Sequence, residues 1–480
     1  MSGSGDETEM NGAGHLVVIG GGSAAFAATT RAADRGWRVT LVNDGLPIGG
    51  TCVNVGCVPS KALIRAAEAH HRARSHPFAG IASSSKVTDF GAITAQTNAL
   101  VELLRQEKYL DVVKDMPGVE IVKGRARLRN RREIEVGGRI LQADRVLIAT
   151  GARPRLPEVP GLAQVGYLTT DTVFQLREAP DSILVLGGRY IALECAQMFA
   201  RLGVKTTVLQ RSERILPTES AVLTDALSGY LWEEGVDIQT GVELHSVCSG
   251  TTGASIEAVV GGETRTFRAE RILVATGRAP NTEGLNLKAA GVEVDEVGFI
   301  KVDENLQTAI PGIYAAGDVI GDPMFVYTAA YEGALAAENA CAPGGEQPRA
   351  RDYHPLPWVI FTDPQVAGVG FDQAQAKAVG IDAETVTLPM TKVPRALVAR
   401  ETRGFFQMTR SRADDRILGA RALAHEGSEL TMEVSLAIQM RMTARNLASL
   451  FHPYLTLSEA VKLAALSFGK DVSKLSCCAT

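Results

Sequence analysis

The chain has 480 residues, more than one hydrophobic core ordinarily supports, so two to four domains are expected. Its 49 lysines and arginines against 54 aspartates and glutamates leave a formal charge of -5, which gives no basic footprint for nucleic acid. No apolar run approaches the roughly 18 to 20 residues of a membrane span, and seven scattered cysteines argue against a secreted disulfide framework, so the chain reads as cytoplasmic.

Residues 1–13 are polar and acidic and are expected to form a disordered leader. His15–Ile19 then reads as an apolar strand running into GGGSAA, followed by a helix to Arg35 and a second strand, Arg38–Val42. This is a βαβ unit. Gly20, Gly22 and Ala25 match G-x-G-x-x-G/A at its strand-to-helix turn, where small residues let a pyrophosphate approach backbone N–H groups. The strand end that usually carries a ribose-binding carboxylate holds Asn43, with Asp44 directly after it.

The segment GGTCVNVGCVPSK follows. Cys52 and Cys57 are flanked by Gly49, Gly50 and Gly56, and a helix-forming run begins after Pro59, so two thiols meet across one turn with thiolate charge favoured near a helix N-terminus. That pattern is a redox disulfide.

Val146–Gly151 (VLIATG) ends a strand at a glycine turn, and a second βαβ unit runs from Ile183–Leu186 through GGRYIALECAQMFARLG to Thr206–Gln210. Gly187 and Ala192 hold their places in its fingerprint, but Arg189 replaces the second glycine. Arg211 and Arg214 follow the strand, which has no carboxylate at its end, and this favours a 2′-phosphate and hence NADPH over NADH. Leu273–Gly277 (LVATG) and Thr308–Asp318 (TAIPGIYAAGD) close the nucleotide-binding region, the latter placing Asp318 where it can meet a flavin's ribityl chain or phosphate. The expected organisation is α/β: a discontinuous FAD-binding domain over 14–155 and 275–346, an NADPH-binding domain over 156–274, both Rossmann-like, and a C-terminal α+β dimerisation domain over 347–480 that includes a helix over Glu429–Arg441. Adjacent Cys477 and Cys478 are better suited to a soft metal ion than to a strained small ring. Cys195, Cys248 and Cys341 read as packing or surface residues, and His70, His71 and His76 as a solvated helix face.

GGTCVNVGCVPSK, both ATG segments, TAIPGIYAAGD and HPYLTLSEA resemble the pyridine nucleotide-disulfide oxidoreductases over about residues 14 to 470. The resemblance implies hydride transfer from NADPH to FAD, Cys57 as the thiolate in charge-transfer contact with the flavin, and Cys52 as the exchanging thiol. It also implies that Lys61 lies near flavin N5 paired with Glu194, and that Gly50, Thr51, Thr150, Gly151 and Gly277 line the cofactors. Disulfide reductases of this family carry a histidine in H-P-x-x-x-E as proton shuttle; Tyr454 stands there instead, with Leu455 at the proline and His452 offset by two residues. A phenol of pKa about 10 shuttles protons poorly at neutral pH. Tyr190 in YIALE, Tyr454, Val393–Ala396 (VPRA) and Ser476–Ala479 (SCCA) together resemble the mercuric ion reductase branch. That branch implies a homodimer in which Cys477 and Cys478 of one subunit pass Hg(II) to Cys52 and Cys57 of the other, with Tyr190 and Tyr454 flanking the metal. The alternative is a thiol-disulfide reductase of the glutathione reductase or lipoamide dehydrogenase type.

Overall fold

In the computed structural model, residues 14–250 and 253–471 are described; the leader, Cys477 and Cys478 lie outside them. Leu16, Val17 and Val18 are completely buried, as a strand covered on both faces requires. His15–Ile19 is the middle strand of a five-stranded parallel sheet, in the order Ile313–Ala315, Arg145–Ile148, His15–Ile19, Arg38–Asn43, Val119–Lys123. The strand order reverses between the first and fourth strands in sequence, and such a switch point opens a crevice beyond the strands' C-terminal ends. The helix Ser23–Asp34 covers one face of the sheet and packs against Val326–Ala340. That approach depends on Gly333, where a Cβ would lie 2.0 Å from the Ala24 carbonyl oxygen.

A second parallel sheet repeats the arrangement with four strands, Val236–Gln239, Lys205–Leu209, Ser182–Leu186 and Arg271–Val274. It is inserted between the fourth and fifth strands of the first sheet, and Ala152–Pro154 pairs antiparallel with Arg278–Pro280 where the chain crosses out and back. The C-terminal unit is a five-stranded antiparallel sheet, in the order Trp358–Ile360, Gln365–Gly370, Ile417–Ala424, Phe405–Ser411, Ala383–Pro389. Its core centres on Phe406, Met408, Leu388 and Val434. The architecture is thus α/β with two Rossmann-like sheets and an α+β C-terminal unit.

Two helix boundaries differ from the sequence reading. The redox helix is Cys57–Arg74 and so includes Pro59 in its first turn, where a missing N–H leaves no hydrogen bond unmade. The helix expected over Glu429–Arg441 is a 3-10 turn, Gly427–Leu430, followed by Thr431–Gln439; Arg441 stands at φ 54°, outside the right-handed helix. Among the described residues no helix is long and apolar enough to cross a membrane.

Candidate active site

The first glycine turn sits at the switch point. Gly20 has φ 132°, and a Cβ there would lie 2.1 Å from the Ala149 carbonyl oxygen, so only glycine lets the first and fourth strands close together above the sheet. Gly22 precedes the helix Ser23–Asp34, and Gly50, at φ 62°, faces it so closely that a Cβ would meet the Gly22 Cα at 2.6 Å. Ala25 is fully buried beneath this turn. Asn43 is turned inward: its Nδ2 donates to the Leu46 carbonyl at 3.0 Å and its Oδ1 abuts Gly21, while Asp44 is exposed. Thr150 and Asn281 exchange two hydrogen bonds, 2.7 and 3.0 Å, and the Asn281 N–H donates to the Gly151 carbonyl. Gly277, at φ 118°, accepts from the Arg155 N–H on the return crossing.

Asp318 begins a short 3-10 turn just past Ile313–Ala315, and burial pushes its carboxyl above the usual range. Arg278 Nε lies 3.2 Å from Asp318 Oδ2, yet this buried nitrogen has no aligned hydrogen-bond acceptor; the same guanidinium reaches the Thr51 hydroxyl at 3.4 Å. Glu332 fixes the turn from below, its Oε2 accepting from the Gly317 N–H at 2.6 Å and its Oε1 from the Tyr353 hydroxyl at 2.7 Å. A side-chain-free glycine cradle at a helix N-terminus, beside an incompletely satisfied Arg–Asp pair, fits the pyrophosphate and polyol of a dinucleotide.

Cys52 lies in the short helix Gly50–Val55, and Cys57 is the first residue of the next helix. Both thiols are free and half-buried. The Cys52 thiol donates to the Cys57 sulfur, and together with the Lys61 ammonium this overcomes burial to bring Cys57 down to about 7; the same contact and burial push Cys52 up. Lys61 Nζ lies 2.6 Å from Glu194 Oε2 and 4.6 Å above the Phe361 ring. Glu194 comes from the helix Tyr190–Arg201 of the second sheet, so this pair joins two domains. Cys195 and Cys341 are buried, which pushes both thiols up to about 12, whereas Cys248 is exposed.

At the second glycine turn, Gly187 has φ 118° and a Cβ there would lie 2.4 Å from the Ala275 carbonyl oxygen; Ala192 is fully buried. Arg189 is exposed at the N-terminus of the helix. Arg214 pairs with Asp225 at 3.3 Å, whereas Arg211 is exposed with no ion-pair partner among the described residues. Tyr190 is stacked between Trp358, 6.0 Å away at 6°, and Phe325, 6.4 Å away at 12°, and burial raises its phenol.

In the C-terminal segment Tyr454 is about half exposed. His452 is turned away from solvent, its Nε2 2.7 Å from Glu433 Oε1. Glu459, which would orient a catalytic histidine in H-P-x-x-x-E, instead accepts from the Leu455 N–H at 2.8 Å. His70 bonds Ser85 at 2.7 Å and His71 faces Glu234 at 3.9 Å, so these two are engaged with protein groups, not merely solvated.

Several residues escaped the sequence reading. Arg278, Glu332, Phe361 and Asp363 lie far in sequence from the groups they touch, and no local pattern announces them. Glu68, Asp363 and His425 offer ligand atoms within 4.8 Å of one another. Burial would raise the Asp363 carboxyl, but His425, Arg201 and Arg403 hold it well below the usual range, and Arg72 pairs with Glu68 at 2.8 Å. This charge is already met by protein cations.

The sequence pattern described as pyridine nucleotide-disulphide oxidoreductase matches residues 14–333, and that family's dimerisation domain matches residues 356–465. Curated relatives include mercuric reductases of Staphylococcus aureus, 42% identical over 97% of this chain and 84% of that protein, and of Streptomyces lividans, 43% identical over 97% of this chain and 98% of that one. Among solved structures, the HOCl-induced flavoprotein disulfide reductase RclA from Escherichia coli superposes with a TM-score of 0.85 at 29% identity, covering 95% of this chain and 100% of that one. LpdA from Mycobacterium tuberculosis superposes at 0.84 with 28% identity over 95% of this chain and 100% of its own. The glycine cradles, the paired thiols and these matches lead to one assignment: the chain belongs to the pyridine nucleotide-disulphide oxidoreductase family, whose members work with FAD and a pyridine nucleotide.

Proposed function

We propose that the protein is an NADPH-dependent flavoenzyme that reduces Hg(II) to elemental mercury, acting as a homodimer. The observation that carries the choice of substrate is the disposition of His452 and Glu459. His452 is held by Glu433 two residues before the shuttle position, which Tyr454 occupies, and Glu459 caps a backbone N–H, so among the described residues this segment sets no histidine against Glu459 for a departing thiol. Hg(II) transfer between thiolates requires none, because a soft cation exchanges directly from one sulfur to the next. The relatives named mercuric reductase support the same reading.

FAD, when bound, supplies the two-electron relay from NADPH to Hg(II), releasing NADP+, one proton and the neutral metal. The chain's residues prepare that reaction. Gly20, Gly22, Ala25 and Gly50 bring backbone N–H groups against the pyrophosphate, with Asn43, Asp44, Thr51, Thr150, Gly151, Gly277 and Asp318 lining the remainder of the cofactor. Cys57 presents a thiolate toward the flavin and Cys52 the exchanging thiol, and the two together ligate Hg(II). Lys61, paired with Glu194, places a fixed cation beside the ring, which favours its anionic reduced form. Gly187 and Arg211, with Arg214 beside it, take the nucleotide and its 2′-phosphate. Tyr190 and Tyr454 supply phenols beside the metal, and Cys477 and Cys478 of the partner subunit deliver it.

Self-association is supported by the matched dimerisation domain and by an apolar surface on the C-terminal unit. Met432, Leu436, Met440, Leu450 and Phe451 are all exposed there, Phe451 completely, an array that solvent disfavours. The test is NADPH oxidation with Hg(II) in excess thiol, run beside glutathione disulfide and lipoamide. Turnover confined to Hg(II) is expected, and faster turnover of either disulfide refutes the reading.

A further inference from the structure

Lys61 is held by groups from three parts of the chain. The ammonium belongs to the redox helix Cys57–Arg74, its carboxylate partner Glu194 to the second nucleotide-binding sheet, and the ring beneath it, Phe361, to the segment entering the C-terminal sheet. Carboxylate and ring are fixed to each other, because Glu194 Oε1 accepts from the Phe361 N–H at 2.9 Å. The segment carrying Phe361 is gripped by the next polar residues on the same helix face. Gln197 Oε1 accepts from the Asp363 N–H at 2.8 Å while its Nε2 donates to the Asp363 carbonyl at 2.7 Å, so one side-chain amide pairs with a backbone as a neighbouring strand would. One turn further, Arg201 reaches Asp363 Oδ2 at 3.0 Å and binds Glu234 through two nitrogens at 2.6 and 2.7 Å.

Glu194, Gln197 and Arg201 stand at i, i+3 and i+7, a single stripe along the helix, and all three are buried. A stripe of buried polar residues on an apolar helix is costly unless every group is satisfied, and here the 361–363 segment satisfies it together with Lys61 and Glu234. Any shift of that backbone would carry Phe361 from under the ammonium and draw Glu194 after it. We propose that Gln197, with Arg201 behind it, is a positioning residue for Lys61: by clamping Phe361–Asp363 it fixes where the cation stands beside the flavin. This rests on the reading of Lys61 as the flavin-side cation given above.

The experiment is a double-mutant cycle on the holoenzyme, reading the midpoint potential of the bound flavin beside the rate at which NADPH reduces it. Lys61→Met should lower the affinity of the protein for reduced flavin relative to oxidised flavin by about tenfold, a shift of about 30 mV for a two-electron couple. Gln197→Met should shift it in the same direction by a smaller factor, and the shift should vanish in the Lys61→Met background, since a residue acting through Lys61 has nothing left to position. Equal shifts from Gln197→Met with and without Lys61, or no shift while Lys61→Met has its effect, overturn the clamp alone. No shift from Lys61→Met overturns the underlying placement of the cation and the clamp with it. Should Gln197→Met fail to fold, Phe361→Leu keeps both backbone hydrogen bonds of the clamp while removing the ring, and it should show the same dependence on Lys61; additivity there is equally fatal.

Discussion

Replacing Glu194 by glutamine isolates the charge of the Lys61 partner from its geometry. The amide oxygen of glutamine can still accept from the Phe361 N–H, now 2.9 Å from Glu194 Oε1, but its –NH2 faces an ammonium that at present lies 2.6 Å from a carboxylate oxygen. Opposite unit charges about 4 Å apart attract by about 4 kcal/mol at an effective dielectric near 20. The Lys61 side chain is 33% exposed while that of Glu194 is 7% exposed, so solvent screening leaves roughly 1–2 kcal/mol holding the ammonium in place. Loss of that restraint corresponds to a factor of about 5–30 in a step that depends on the fixed cation. Stopped-flow bleaching of the oxidised flavin by NADPH is the assay, with binding of the nucleotide measured separately. A reduction rate within about twofold of the parent protein at saturating NADPH, with the fold intact, would refute this account of the pair.

Two-electron reduction should produce a long-wavelength absorbance from Cys57 against oxidised flavin that Cys57→Ser abolishes. Because the Cys57 thiol is lowered to about 7, the thiolate persists down to that pH, so the band should weaken as pH falls through about 7 and strengthen above it; a band that stays constant from pH 6 to 9 contradicts the assignment. Arg211→Ala should raise KM for NADPH about tenfold, the loss of one charge-assisted contact, while leaving KM for NADH unchanged; an equal effect on both nucleotides sinks the 2′-phosphate role. Replacing Cys477 and Cys478 with alanine should leave flavin reduction intact and cripple turnover of Hg(II) given as a bis-thiolate complex, yet spare turnover of mercuric bromide; parity with the parent on both complexes eliminates the hand-off.

The two glycine turns were legible because each is local: a buried apolar strand, a run of small residues and a helix, within about twenty positions. Cys52 and Cys57 were legible for the same reason, and the helix start moved from Pro59 to Cys57 only because proline is tolerated in a first turn. The meeting of Lys61 with Glu194 spans 133 positions and came from family resemblance, not from periodicity. Phe361, Asp363 and Arg278 act through tertiary approach alone, which no window of sequence encodes. A usable trace did exist in the helix Tyr190–Arg201, where Gln197 and Arg201 repeat the spacing of Glu194 along a face otherwise apolar enough to be core. Asn43 shows the reverse case: the residue stands at the strand end where sequence places a ribose contact, but its amide is engaged by the Leu46 carbonyl within its own loop.

The interruption of the first sheet by the second sets an order of assembly during synthesis. Gly20 and Asp318 serve one cradle, yet nearly three hundred residues separate them, and the sheet's fifth strand, Ile313–Ala315, leaves the ribosome only after the whole inserted unit. Every pairing within the second sheet, from Ser182 to Val274, is available earlier, and domains generally condense as their own sequence becomes complete. The nascent chain therefore completes its second sheet while the first is still open, with a vacant edge beside Arg145–Ile148. Pairing of Ile313–Ala315 with Val146–Ile148 is then the closing step that joins the two flanks of the chain.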